Sequence, residues 1–134
     1  MWISKKANYG NQIRVFRGLY YHHGIYESDD CVYQFASPEG FEIAPETAII
    51  CITTLEKFLN GGELEVRQYT EEELKRKRSD EEIIEFAKSK VGSNMGGYDV
   101  FTNNCEHFSN LCAFGVSDSE QSTFLMAMLG GIFK

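Results

Sequence analysis

The chain has 134 residues, and what it lacks narrows its function more than what it holds. Its four cysteines, Cys31, Cys51, Cys105 and Cys112, contain no C-x-x-C pair, so no zinc or other metal site is expected, and no cofactor. Positive charge is in deficit: 13 Lys and Arg stand against 20 Asp and Glu, a formal net charge of −7. A surface of that sign repels phosphate, which argues against a nucleic-acid partner and against electrostatic docking on an anionic membrane. Long apolar runs are also missing. The stretch from Phe124 to Phe133 is apolar but only about half of a bilayer span. Met1-Trp2-Ile3-Ser4-Lys5-Lys6 has no apolar core of the length a secretory leader carries. A cytoplasmic chain with free thiols is therefore expected. Both prolines, Pro38 and Pro45, fall in one expected loop over residues 37–46. No internal repeat or low-complexity tract is present.

What remains is ordinary globular composition, 43% hydrophobic and 25% charged, in a chain long enough for one domain with a real core. Residues 12–17 and 19–27 read as strands, and Cys31 to Ala36 as a third, joined to the second by a three-residue Ser28-Asp29-Asp30 turn. The continuous apolar run Ala48 to Ile52 suits a central buried strand. Thr53 to Glu56 has the form of a capping box opening a short helix through Leu59, stopped by Asn60-Gly61-Gly62. Glu63 to Tyr69 alternates as another strand. The charges of Glu71 to Arg78 cancel locally, as on a solvated loop or helix end. Ser79-Asp80-Glu81-Glu82 is a further capping box, starting a helix lined by Ile83, Ile84, Ala87 and Val91 and ended by Gly92. A glycine-rich loop over residues 93–98 follows. The order β-β-β-β-α-β-α-α predicts an α+β fold, an antiparallel sheet with helices packed on one side.

The stretch with chemistry in it is Thr102-Asn103-Asn104-Cys105-Glu106-His107-Phe108. Phe101, Cys105, Phe108, Leu111 and Cys112 recur at helical spacing and Gly115 closes the run. Asn103 or Asn104 is a good N-cap, which places Cys105 in the first turn. There the helix dipole favours a thiolate, and nearby amides could hold an oxyanion. A thiolate works best beside an imidazole, and the chain has three: His22, His23 and His107. His107 follows Cys105 by two residues, about 200° round the helix, so the two face apart and His107 orients or packs the helix. His22 and His23 are strand neighbours and point to opposite faces, so only one can meet Cys105. Parity alone leaves open which. Gln34, on the partner strand, is able to accept a hydrogen bond from a histidine ring and hold its tautomer, or else to face solvent.

Leu19-Tyr20-x-His22-x-Gly24-Ile25-Tyr26, Val32-Tyr33-Gln34-Phe35-Ala36 and Asn104-Cys105-Glu106-His107-Phe108 together resemble the lecithin–retinol acyltransferase family, including its phospholipase/acyltransferase branch. The resemblance covers roughly residues 10–121. It implies a circularly permuted papain-like fold of the NlpC type. The expected division is a catalytic domain over 1–121 and a short apolar tail over 122–134, the tail departing from the full transmembrane helix that membrane-bound relatives carry. The resemblance implies that Cys105 is the nucleophile, that His22 is the base, and that the third polar position falls on Gln34, where vertebrate members resemble one another in carrying a second histidine. Tyr20 and Asn104 are secondary candidates, and His23 takes a packing role. The function implied is cysteine-dependent acyl transfer or hydrolysis through a thioester, on a lipid or acyl-ester substrate. A peptidase or amidase of the same fold and a non-catalytic interaction module are the alternatives. The tail either packs on its own domain or dips into a lipid interface as a peripheral contact. Gly130 and Gly131 weaken an interfacial helix and favour the first.

Overall fold

The computed structural model describes residues 1–38, 46–99 and 104–115. Among these, one antiparallel sheet runs through β1 (Trp2–Ile3), β2 (Gln12–Phe16), β3 (Tyr21–Ser28), β4 (Cys31–Ala36), β5 (Ile49–Thr53) and β6 (Glu65–Arg67), in the order β1-β6-β2-β3-β4-β5. The helices are α1 (Leu55–Leu59), α2 (Glu71–Arg76), α3 (Asp80–Ser89) and α4 (Cys105–Phe114). The α+β class and the antiparallel sheet are as expected. The tail over 122–134 lies outside the described residues.

Side chains alternate across the sheet and build a core on each face. Ile25, Tyr33, Phe35 and Ile50 pack against Ile83, Ile84 and Ala87 of α3 and Cys105, Phe108 and Cys112 of α4. Ile13, Val15, Tyr26, Val32 and Val66 pack on the other face, against Phe58 of α1. The helices therefore lie on both sides of the sheet, not on one. The short helix between β5 and β6 needs somewhere to bury Phe58, and the α3/α4 face is already covered.

The apolar run at 48–52 forms an edge strand, not a central one. An unbroken apolar run says that both faces make contacts, but nothing about hydrogen-bond neighbours. Ile50 is fully buried, whereas Ile52, on the same side, is 51% exposed beyond the end of the core. The outer edge is partly closed by the turn after α3, where Ile50 N–H donates to Ser93 O and Gly92 N–H to Ile50 O, each at 2.8 Å.

Other boundaries move for local reasons. The β3–β4 loop is two residues, since Ser28 pairs with Cys31, with a register shift between Tyr26 and Ser28. Tyr26 OH donates to Asp29 Oδ1 at 2.6 Å, and Leu55 N–H donates to Asp29 O at 2.8 Å, tying α1 to that turn. Thr54, not Thr53, caps α1, and its side chain accepts from Lys57 N–H. The charged stretch is a helix, α2, opened by a reciprocal cap between Thr70 and Glu73 and burying no residue. The Ser79–Glu82 box opens α3 as expected, but the helix ends at Ser89, and Val91 is 42% exposed.

Candidate active site

Asn104 is the N-cap of α4. Its Oδ1 accepts from Glu106 N–H at 2.9 Å and His107 N–H at 3.1 Å, while its own N–H donates to His107 Nδ1 at 3.0 Å. This reciprocal cap sets Cys105 as the first helical residue. It also accounts for His107, which braces the helix start as the spacing suggested. Two of the first-turn amides are consumed by Asn104, so an oxyanion must draw on donors other than those of Glu106 and His107.

The sulfur of Cys105 meets the sheet where β4 leaves β3. In β3 the even residues turn their backbone polar groups toward β2, as when Arg17 N–H donates to Tyr20 O at 2.8 Å and Tyr26 N–H to Asn11 O at 2.9 Å. Tyr21 and His23 turn theirs to the other edge. The β3–β4 register stops at Gly24 and Gln34, so at Tyr21 and His23 that edge is taken by the thiol. His23 N–H donates to Cys105 Sγ at 3.5 Å, and Sγ donates to Tyr21 O at 3.8 Å. The sulfur thus rests against the two peptide groups that flank His22.

His22 is fully buried, on the α1 face, with its ring centroid 4.9 Å from that of Phe58. Its Nε2 lies 2.9 Å from Gln34 Oε1. An amide oxygen only accepts, so Nε2 donates, and in the neutral ring the basic lone pair is then on Nδ1. Gly24 makes the arrangement possible. A Cβ there would stand 2.8 Å from Phe58 Cε2, so its absence lets Phe58 close over the strand beside His22. Gln34 in turn points its Nε2 at Cys51 Sγ, 3.7 Å away, and that thiol donates to Ala36 O at 3.7 Å. Gln34 and Cys51 are direct cross-strand partners.

His23 takes the opposite face, as strand parity requires. It is buried edge-on to Trp2, with Nε2 3.7 Å from Glu106 Oε2. Burial, then the positive neighbours His22, Arg14 and Arg67, hold its pKa well below the usual histidine value. The Glu106 carboxylate is too distant for a hydrogen bond and does not offset complete burial, so His23 is neutral. Tyr20 sits in the β2–β3 turn, where its carbonyl receives Arg17 N–H. It is the carbonyl of its neighbour Tyr21 that touches the sulfur.

Farther along α4 a polar clamp fixes the helix to the sheet. Gln12 Nε2 donates to Ser109 Oγ and Asn110 Oδ1, both at 2.9 Å, Arg67 Nη1 donates to Asn110 Oδ1 at 2.8 Å, and Tyr69 OH donates to Gln12 Oε1 at 2.8 Å. This clamp and the Gln34–Cys51 contact escape sequence reasoning. The partners lie up to 98 residues apart, and no local signal joins them.

Among the described residues no group of three His, Cys, Asp or Glu side chains could hold a metal ion, and no helix is long and apolar enough to cross a membrane. Burial pushes the thiols of Cys31, Cys51 and Cys112 above the ordinary cysteine range. A groove of about 480 Å³ opens on the outer side of Gln34 and Cys51, with Asp30, Ser37, Thr53 and Lys57 on its walls.

The family model described as lecithin retinol acyltransferase matches residues 5–118. The chain is 34% identical over 119 residues to phospholipase A and acyltransferase 5 of Homo sapiens, covering 84% of this chain and 42% of the relative. It is 30% identical over 124 residues to the Rattus norvegicus protein of the same name, covering 88% of this chain and 42% of the relative. It is 27% identical over 128 residues to phospholipase A and acyltransferase 1 of Mus musculus, covering 90% of this chain and 76% of the relative. The chain spans less than half the length of the first two. With the family model running through every strand and helix of the site, the chain belongs to the lecithin retinol acyltransferase family, in its phospholipase/acyltransferase branch.

Proposed function

We propose that the chain is a cysteine-dependent acyl-transfer enzyme acting on lipid esters. Cys105 gives up its proton to His22, and the thiolate attacks the ester carbonyl. The alcohol leaves with a proton returned by the imidazolium, and the acyl group stays on sulfur as a thioester. Water or an amine or hydroxyl acceptor, deprotonated by His22, then releases it. Gln34 holds the ring so that Nε2 keeps its proton and Nδ1 does the work. As a neutral amide it orients the ring without adding charge to stabilise the imidazolium. We assign the circularly permuted papain-like connectivity to the same reading.

The observation that supports this most is the seat of Cys105 Sγ against the peptides on either side of His22, joined to the hold of Gln34 on the far nitrogen of that ring. The other two imidazoles have different work: His107 closes the helix cap, and His23 is buried edge-on to Trp2 in a neutral state. The names of the relatives, phospholipase A and acyltransferase, supply the lipid ester as donor.

The test is intact-mass spectrometry of the protein mixed with phosphatidylcholine vesicles, before and after hydroxylamine. The expected result is one acyl adduct, on Cys105, removed by hydroxylamine and lost in His22→Ala. Adducts spread over Cys31, Cys51 and Cys112, or unchanged in His22→Ala, would sink the assignment. Cleavage of a peptide library without any lipid adduct would establish a peptidase in its place.

A further inference from the structure

We propose that Cys51 is a positioning residue, whose thiol holds the Gln34 amide in the one orientation that keeps His22 in its working tautomer. Gln34 can present either its oxygen or its NH₂ to His22, since the two ends of an amide are nearly the same shape. With the oxygen inward, His22 Nε2 must carry the proton, and Nδ1 is the base. With the NH₂ inward, Nε2 must accept, the proton moves to Nδ1, and Nδ1 is then a donor and no longer the base.

Nothing in the His22–Gln34 pair alone selects between these states, because each satisfies both partners. The choice is made on the other side of the amide. Cys51 Sγ lies 3.7 Å from Gln34 Nε2, and its S–H proton is committed to Ala36 O, also at 3.7 Å. The sulfur therefore faces Gln34 with lone pairs only. It accepts from an NH₂ and repels an oxygen, so the observed orientation is the one the β5 thiol permits. The thiol is suited to this because burial raises its pKa and keeps the proton on it. The cross-strand register that sets Gln34 opposite Cys51 puts the contact in place as soon as β4 and β5 pair.

The inference rests on the proposed function only in its kinetic arm. The direct experiment is ¹⁵N NMR of the His22 ring in the full chain, where protonated and unprotonated ring nitrogens differ widely in chemical shift. Native protein is expected to show Nε2–H alone. Cys51→Ala should show a mixture that includes Nδ1–H, and Cys51→Ser, whose hydroxyl can both donate to Ala36 O and accept from Gln34, should restore the single state. Should the alanine variant not fold, Cys51→Val fills the space without a polar atom and takes its place. In the kinetic arm, kcat of acyl transfer should fall about fivefold in the alanine variant with KM unmoved, the scale of one lost hydrogen bond, and recover in the serine variant. A single Nε2–H state in Cys51→Ala, or a serine variant that matches the alanine one, overturns the role of Cys51. A tautomer shift in a protein that forms no thioester upholds it, and overturns the acyl-transfer reading alone.

Discussion

Gly24→Ala is the sharpest test of how packing reaches the site. The new Cβ would meet Phe58 Cε2 at 2.8 Å, Tyr33 O at 3.0 Å and Val32 Cγ1 at 3.1 Å. Ordinary carbon contacts lie near 3.5–4.0 Å, so about 0.7 Å must be found. Tyr33 O belongs to the β3–β4 ladder, where Ile25 pairs with Tyr33, and cannot yield without breaking the pairing. The displacement falls on Phe58, which is fully buried. Overpacking of this kind costs about 1–3 kcal/mol. Because the Phe58 ring walls His22, Cys105 alkylation should slow as well. Trimming the ring isolates the cause. Phe58→Leu alone loses packing and should cost roughly 1–3 kcal/mol, yet it removes the atom that the alanine strikes. The double variant should therefore be more stable than the sum of the two single changes predicts, by about 1 kcal/mol or more. Urea titrations followed by the fluorescence of the single tryptophan, Trp2, measure all four proteins. Additivity within about 0.5 kcal/mol would refute the argument, since the two residues would then not meet as described.

Two further outcomes concern pH. His23 is held neutral in the fold, so its folded pKa is depressed below its unfolded value. The stability it contributes is fully present above about pH 6.5 and declines as pH falls below that, by up to about 1.4 kcal/mol per unit. Arg14, Arg67, His22 and Glu106 surround it, so the comparison that isolates it is His23→Leu: urea midpoints between pH 5 and 7 should slope less in the variant, and equal slopes would refute the assignment. Burial works against ionisation of the Glu73 carboxyl, but Thr70 N–H and the Arg67 guanidinium overcome it and hold its pKa below the usual glutamate value. That stability is present above the unfolded pKa and is lost as pH falls through the folded one. Glu73→Gln should lower Tm at neutral pH, with the gap to the native protein closing in acid. A gap that persists at acid pH would assign the loss to packing instead.

The sequence by itself determined what depends on residues a turn or a pleat apart. The α4 cap at Asn104, the α3 cap at Ser79, the stop at Gly115 and the separation of His22 from His23 all follow from short-range geometry. The Thr70–Glu73 box, which the reading of that stretch as a solvated loop or helix end passed over, is a signal of the same short range. So is the pairing of a cysteine at a helix start with an asparagine before it. Family likeness added what spacing alone could not, a preference for His22 over His23.

Only the tertiary structure decided the rest. It put the apolar 48–52 run at an edge, where pairing and not hydrophobicity sets the position. It placed α1 on the face opposite α3 and α4, because Phe58 needed apolar cover that the other face no longer offered. It ended the β3–β4 ladder at Gln34 and so opened an edge for the Cys105 sulfur. It set a thiol from β5 behind Gln34. Each of these is a contact between segments far apart in the chain. Such contacts are selected by the summed burial of both sheet faces and by the ladder register, quantities that no local window of residues contains.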